Sequence, residues 1–412
     1  MENFSFMHDR KAAISFTWNK ATFLVGGRNL EDRGCSDLYY HFRGKWSKRT
    51  TTGEVPSVLK SSWSTAQVIG DILYVFHGRR EREEHAPIST LDLNSWNWTT
   101  LRPEGIPPPY PLVYFSSWIY QEKIYIFGGM ALSKDYERQH LRNDFLYYDI
   151  STNRWEWPAV SGAIPSPRCF HTTVISGTDM YLFGGGSEHD CLNDLHRLDM
   201  LEMEFSLVHP SSEDEDDYLP TGRCYHTMTL ISPKAAVVFG GEDEREGVLG
   251  DCWLLDLDAA KQPMWEVTSL WKRYWCHDPC RPDEDDKRSE HSAVLETESQ
   301  RLWIMGGMSD DVTKEMLVVQ FDEQREPTPL RMLAMEWVID GWGSPWRMIK
   351  LSRNDQGLQD LPRDLMEELD SRRSWFYKQR RYDCEACGRP HSYMCGHSIQ
   401  CFPGYCVCGS NP

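Results

Sequence analysis

Tyr181-Leu182-Phe183-Gly184-Gly185 decides how this chain is read. The same device, an apolar and aromatic run ending in a glycine pair, recurs as Phe23-Leu24-Val25-Gly26-Gly27, Tyr125-Ile126-Phe127-Gly128-Gly129, Val237-Val238-Phe239-Gly240-Gly241 and Trp303-Ile304-Met305-Gly306-Gly307. A sixth copy, Tyr74-Val75-Phe76-His77-Gly78, has histidine in place of the first glycine. The first position of the pair falls at 26, 77, 128, 184, 240 and 306, in steps of 51, 51, 56, 56 and 66. Runs of β-branched and aromatic residues bounded by glycine and proline are strands. A self-similar unit of about 50 residues made of short strands is a propeller blade. The spacing therefore predicts an all-β, six-bladed ring over residues 8–325.

Working outward, each unit offers four strand-like pieces. One precedes the glycine-pair strand, as in His171-Thr172-Thr173-Val174-Ile175. The second ends in the pair. The third carries an acidic-aliphatic-aromatic signature: Asp37-Leu38-Tyr39-Tyr40, Asp144-Phe145-Leu146-Tyr147-Tyr148, Asp194-Leu195-His196-Arg197-Leu198 and Asp251-Cys252-Trp253-Leu254-Leu255. The fourth carries a tryptophan or its stand-in: Trp46, Trp96 and Trp98, Trp155 and Trp157, Phe205, and Trp265. Glycine suits the end of the second strand because a side chain there would crowd the neighbouring blade, and because glycine reaches positive φ. Three units share Arg-x-x-His ahead of their first strand: Arg168 to His171, Arg223 to His226 and Arg288 to His291. Histidines repeating in register predict a structural role, a buried imidazole bonded to a neighbouring loop carbonyl. The sixth unit shows no tryptophan strand after Val318-Val319-Gln320-Phe321, so its closing strand is expected from the chain near Leu330 or from the N-terminus.

Composition narrows the function. The 412 residues carry a formal net charge of −18. Nucleic-acid and membrane-surface binders need a basic footprint, so both classes are disfavoured. The runs Glu213-Asp214-Glu215-Asp216-Asp217 and Asp283-Glu284-Asp285-Asp286 read as solvated loops, since a block of like charge resists burial. Met1 to Trp18 lacks the basic start and apolar stretch of a signal peptide, and no segment approaches a membrane span. The expectation is a cytoplasmic or nuclear protein in which disulfides are disfavoured. There is no phosphate loop, nucleophile elbow or His-Glu-x-x-His, so a non-enzymatic protein is expected.

The glycine pair, the tyrosine-containing strand and the tryptophan together resemble the kelch repeat. Beyond the ring, residues 329–371 break the repeat and read as helix. Leu330, Leu333, Ala334, Trp337 and Val338 fall at i, i+3, i+4, i+7 and i+8 after Pro329, one apolar face. Leu361, Leu365 and Leu369 repeat that spacing around Pro362. On spacing alone, these are equally two helices packed back on the ring. In detail the first resembles the box with which substrate receptors bind Elongin C, the matching positions being Pro329, Leu330, Leu333, Ala334 and Val338. That family often has cysteine where this chain has Ala334. Leu361-Pro362-x-x-Leu365 resembles the cullin-selecting box of the von Hippel-Lindau type, with Asp364 where the alternative type has a second proline. The arrangement is similar to the kelch-domain-containing substrate receptors of Elongin-cullin ubiquitin ligases. That resemblance implies a non-catalytic adaptor with Elongin B, Elongin C and a cullin scaffold as partners. Its propeller pocket would hold substrate tails, including C-terminal degrons. The alternative is a kelch scaffold that binds actin or a signalling partner without ligase docking.

Some such receptors hold a terminal carboxylate with arginines after a glycine pair; here the corresponding positions are Gly186 and Cys191, so that specificity does not carry over. Candidate pocket residues from other loops are Arg28, Arg79, Arg80, Arg138 and Arg142, with Tyr225. The acidic loop Glu242-Asp243-Glu244-Arg245-Glu246 makes a basic tail the competing option.

Six of the 13 cysteines crowd into the last 29 residues. Thiolates and imidazoles at that density read as zinc ligands. Cys384, Cys387, Cys395 and His397 could form one site, and Cys401, Cys406 and Cys408, with His391, a second, giving a tail of residues 382–412 that holds one or two zinc ions. Metal binding would supply the folding energy that so short a segment lacks in apolar core.

Overall fold

The computed structural model describes residues 10–320, apart from 30, 32, 43–44, 61–64, 77–86, 109–111, 133–138, 210–218, 246, 263–269, 274–286 and 310–316, together with 401–402 and 405–406. The expected helical box at 329–371 and most of the cysteine tail lie outside the described residues. The chain divides into two units, Met1–Ile349 and Lys350–Pro412. In the second, Cys401–Phe402 pairs antiparallel with Tyr405–Cys406, which sets the backbones of Cys401 and Cys406 opposite each other.

The first unit is an all-β ring. Among the described residues, besides a small three-stranded sheet of Leu112–Val113, Met130–Leu132 and Gln139–Leu141, six blade sheets follow one another along the chain. Their innermost strands are Ile14–Trp18, Thr65–Ile69, Ser116–Tyr120, Thr172–Ser176, Thr227–Ser232 and Ser292–Glu296. Each of these packs beside the next, and the sixth packs beside the first, so the ring closes. Every inner strand turns into the glycine-pair strand: Ile14 lies opposite Val25, for example, and Thr172 opposite Phe183. Blades two, three and four gain a fifth, outermost strand, running parallel to the fourth, from the link that leaves the preceding blade. Thr52–Gly53 lies beside Asn97–Leu101, Glu104–Gly105 beside Arg154–Glu156, and Ser161–Gly162 beside Glu204–His209.

The core is partitioned by blade interface. Each of six buried apolar clusters spans two consecutive blades. The outer-strand aromatic reaches back to the previous blade, as an amphipathic ring with a large buried area does well. Trp155 lies 6.0 Å from Phe76, Phe205 5.6 Å from Phe127, and Trp271 4.8 Å from Phe183. Trp271, on Trp271–Arg273, is thus the described outer aromatic of blade five; Trp265 lies outside the described residues. The last interface closes the ring through Trp46 of blade one, edge-on to Trp303 of blade six at 6.0 Å.

Blade six has three strands among the described residues, Ser292–Glu296, Arg301–Met305 and Leu317–Gln320. The N-terminal strand Ile14–Trp18 is the inner strand of blade one, and residues 1–9 and the chain near Leu330, the two expected sources of blade six's outer strand, lie outside the described residues. Arg10, just ahead of that strand, ties blade one to blade six. The Gly307 N–H donates to the Arg10 carbonyl at 2.8 Å, and a Cβ on Gly306 (φ 64°) would fall 1.9 Å from that carbonyl oxygen. No residue but glycine fits there.

Candidate functional site

The loops at one end of the ring are held by a repeated latch. Arg168, Arg223 and Arg288 are at most 1% exposed. The Arg168 guanidinium donates to the Gly184 carbonyl at 3.1 Å and forks onto Asp194 at 2.6 and 2.8 Å. Arg223 repeats this with Gly240 at 3.1 Å and Asp251 at 2.7 and 2.9 Å. In blades four and five the acidic residue of the third strand is therefore the partner of the Arg-x-x-His arginine, a bidentate charge-assisted pair. Burial pushes the Asp194 carboxyl up, but the Arg168 guanidinium and the His196 ring outweigh it and leave it well below the usual carboxylate range. Arg10 belongs to the same series, donating to the Gly26 carbonyl at 2.9 Å and meeting Asp37 at 3.4 Å. Its motif ends in Ala13 in place of histidine, which hid it in the sequence. Blade three has no such arginine ahead of its inner strand; there Arg142 pairs with Asp144 at 3.1 and 3.2 Å.

The three histidines play the structural part expected, with a different partner. His171 Nε2 shares a hydrogen bond with Ser116 Oγ at 2.8 Å, His226 with Thr172 Oγ1 at 2.7 Å and His291 with Thr227 Oγ1 at 2.8 Å. Each partner is a hydroxyl on the inner strand of the preceding blade, not a loop carbonyl. Burial, then the neighbouring guanidinium, lowers the His171 and His291 imidazoles to about 3 and holds His226 well below its ordinary value. All three rings are neutral at physiological pH. The glycine pair makes room for them: a Cβ on Gly184 would stand 3.1 Å from the His226 ring, and one on Gly185 2.7 Å from the Cys169 carbonyl.

Above these latches lies a cavity of about 500 Å³. The loops after the glycine pairs of blades three, four and five line it, with the residues two positions beyond Arg168 and Arg223 as its floor. Those floor residues are Phe170 and Tyr225, each held at positive φ (58° and 55°) with ring centroids 4.0 Å apart. Tyr114 packs against Phe170, its ring tilted with the centroids 4.2 Å apart. The walls are acidic: Glu188 and Asp190 from blade four, and Glu242, Asp243 and Glu244 from blade five. No lysine or arginine stands among its described lining. Ser187 shapes the blade-four loop, its backbone N–H bonding the Asp190 carbonyl at 2.8 Å while its Oγ accepts from the Asp190 N–H at 3.0 Å. Ser289 of blade six donates to Glu242 and fixes that carboxylate. Three cysteines, Cys169, Cys191 and Cys224, complete the wall between blades four and five. Carboxylates beside aromatic rings attract a cation twice, by charge and by the ring quadrupole.

Of the pocket residues expected from sequence, Tyr225 lines this cavity. Arg28 lies on a bridge to Lys11 in blade one, and Arg142 is engaged with Asp144; neither is part of the lining. Arg79, Arg80 and Arg138 lie outside the described residues, as do Pro329, Leu330, Leu333, Ala334, Val338, Leu361, Pro362 and Leu365. The same holds for Cys384, Cys387, Cys395, His397 and Cys408, whereas Cys401 and Cys406 are described only in their backbone pairing. Among the described residues no group of three or more histidine, cysteine and acidic side chains could hold a metal ion. The sequence reading missed Phe170, Cys169 and Cys224; their signal was position, two residues and one residue beyond a latch arginine.

A closed ring of kelch-type blades with a loop-built cavity at one end defines the class. The chain belongs to the kelch-repeat family: the KLHDC2/KLHL20/DRC7 Kelch-repeats domain matches residues 12–232. It is similar to Kelch domain-containing protein 2 of Bos taurus, 27% identical over 314 residues that cover 68% of this chain and 74% of that protein. Kelch domain-containing protein 1 of Mus musculus is 25% identical over 291 residues, 65% of this chain and 66% of that protein. Kelch domain-containing protein 3 of Bos taurus is 26% identical over 196 residues, 44% of this chain and 48% of that protein.

Proposed function

We propose that this chain is the non-catalytic substrate receptor of an Elongin B/C–cullin ubiquitin ligase, and that its cavity grips a basic substrate tail. The observation that carries the substrate half is the cavity itself: five carboxylates around a floor of two touching aromatic rings, with no cation in the described lining. Such a site repels a bare terminal carboxylate and attracts lysine or arginine side chains. Kelch membership and the Pro329-Leu330-x-x-x-Ala334-x-x-x-Val338 segment support the ligase half, by helix-in-groove docking in which Leu330 is the buried anchor. Leu361, Pro362 and Leu365 would then meet the cullin, and the Cys/His tail would fold around zinc. The working compartment in this reading is cytoplasm or nucleus. The test is affinity capture with the full chain. Elongin B and C accompany the wild type and are lost with Leu330→Ala; capture unchanged by that substitution would end the ligase reading. Peptides ending in lysine or arginine bind the wild type, and Glu242→Gln/Glu244→Gln weakens them by about tenfold, roughly one charge-assisted contact.

A further inference from the structure

Cys191 and Cys224 face each other across the seam between blades four and five. Their sulfurs are 2.7 Å apart, inside the separation of two sulfurs that merely touch. The backbone holds them there. The Arg223 N–H donates to the Leu192 carbonyl at 3.0 Å, and the two cysteines flank that bond, one on each chain. A Cβ on Gly222 would fall 2.2 Å from the Cys191 carbonyl oxygen, so the two segments run as close as glycine allows. Equivalent bonds join blades three and four, Arg168 N–H to Arg142, and blades five and six, Arg288 N–H to Leu249. There the flanking residues are Leu141 with Cys169, and Val248 with Ser289. Of these three seams, only that between blades four and five carries a thiol on both sides. Cys191 is partly exposed on the cavity wall, whereas Cys224 is buried. The thiol contact with Cys191 and then burial keep the Cys224 thiol protonated.

We propose that Cys191 and Cys224 are an oxidative modification site, a dithiol that hydrogen peroxide converts to a disulfide across the cavity wall. Cys191 gives up its proton, and its sulfur attacks one peroxide oxygen. The O–O bond breaks, and a sulfenic acid and water form. The Cys224 sulfur then displaces the hydroxyl from Cys191, the S–O bond breaks, and the Cys224 proton leaves with that hydroxyl as a second water. Two thiols are oxidised by two electrons, and one peroxide is reduced to two waters. The sulfurs, 2.7 Å apart, need to close by about 0.65 Å to reach the ~2.05 Å of a disulfide. The bond ties the blade-four cavity loop to the entrance of blade five. The consequence for a bound tail rests on the function proposed above; the bond itself does not.

The full-length reduced chain is treated with peroxide, blocked by alkylation, digested and mapped by mass spectrometry. The expected product is one peptide pair joined through Cys191 and Cys224, about 2 Da lighter than its two reduced halves and released by dithiothreitol. Alkylation of both residues at a peroxide dose that oxidises the tail cysteines would overturn the proposal, as would linkage of Cys191 to Cys169. Cys191→Ser and Cys224→Ser each abolish the linked pair; a variant that fails to fold leaves the wild-type map decisive. A lysine-ended peptide titrated against the reduced and oxidised chains changes affinity by about fivefold or more. Equal affinity, with the linked pair present, would overturn the control of binding.

Discussion

Acidification from pH 7.5 to 5.5 strikes the ring at its three latches. His171, His226 and His291 are wholly enclosed, and each spends its Nε2 on a hydroxyl of the preceding blade. In the unfolded chain an imidazole titrates near ~6.5. In the folded ring, His171 and His291 titrate at about 3 and His226 well below its ordinary value. Between these limits only the unfolded chain takes up the proton. Stability is therefore complete above about pH 6.5 and falls as the pH drops towards 3. Each ring contributes about 1.4 kcal/mol of loss at pH 5.5, one unit below the unfolded value, and three rings together about 4 kcal/mol. At this pH the loss depends only on the unfolded titration, because the folded rings are still neutral. The carboxylates act lower. Asp194, depressed by Arg168 and His196 against the burial that raises it, gives up its stabilisation only below about pH 4. Between pH 4 and 6.5 the three histidines therefore dominate, opposed by Asp144, whose carboxyl burial raises. Urea denaturation of the full chain, followed by tryptophan fluorescence at pH 7.5 and 5.5, measures the difference; in a thermal scan it is about 5 °C. His226→Gln keeps a hydrogen-bonding side chain without titrating and removes about a third of the pH dependence. Superimposable curves at the two pH values would refute the assignment of neutral, blade-bridging rings.

Other perturbations have equally definite outcomes. Arg223→Ala leaves Asp251 buried without its guanidinium and costs about 3–5 kcal/mol by chemical denaturation; a loss under about 1 kcal/mol would contradict the latch. Trp46→Ala opens the seam to Trp303 and costs about 3–5 kcal/mol, with faster proteolysis at the N-terminal end than in the wild type. Gly306→Ala forces a Cβ into the Arg10 carbonyl and lowers the melting temperature far more than Gly70→Ala, where the added Cβ meets nothing within 4 Å. Metal analysis of the purified full chain returns about one or two zinc ions, and Cys387→Ser lowers that number; a zinc-free folded chain would end the tail assignment.

The ring was legible because its determinants are periodic. The glycine pairs, Asp194 and Asp251, and Trp155 recur at fixed offsets, and each does one steric or electrostatic job per blade. The Arg-x-x-His repeat announced a structural device, but its partners were not readable, since Ser116 and Thr172 lie some 55 residues upstream on a neighbouring blade. Trp271 was not singled out, because no rule places an outer strand after a loop of variable length. The cavity was the least legible part. Its lining comes from three blades, which no single stretch of sequence brings together. Cys191 and Cys224 became neighbours only when the Leu192–Arg223 bond aligned their chains.

The most direct test joins the two halves of the functional reading. A reporter ending in a lysine- and arginine-rich tail is incubated with the full chain, Elongin B and C, cullin, its RING partner, and the ubiquitin-activating and ubiquitin-conjugating enzymes. Ubiquitin transfer should occur with the wild type. It should be lost with Leu330→Ala, and fall about tenfold with Glu242→Gln/Glu244→Gln, in proportion to the weakened tail. Transfer at the wild-type rate with both variants would contradict the account.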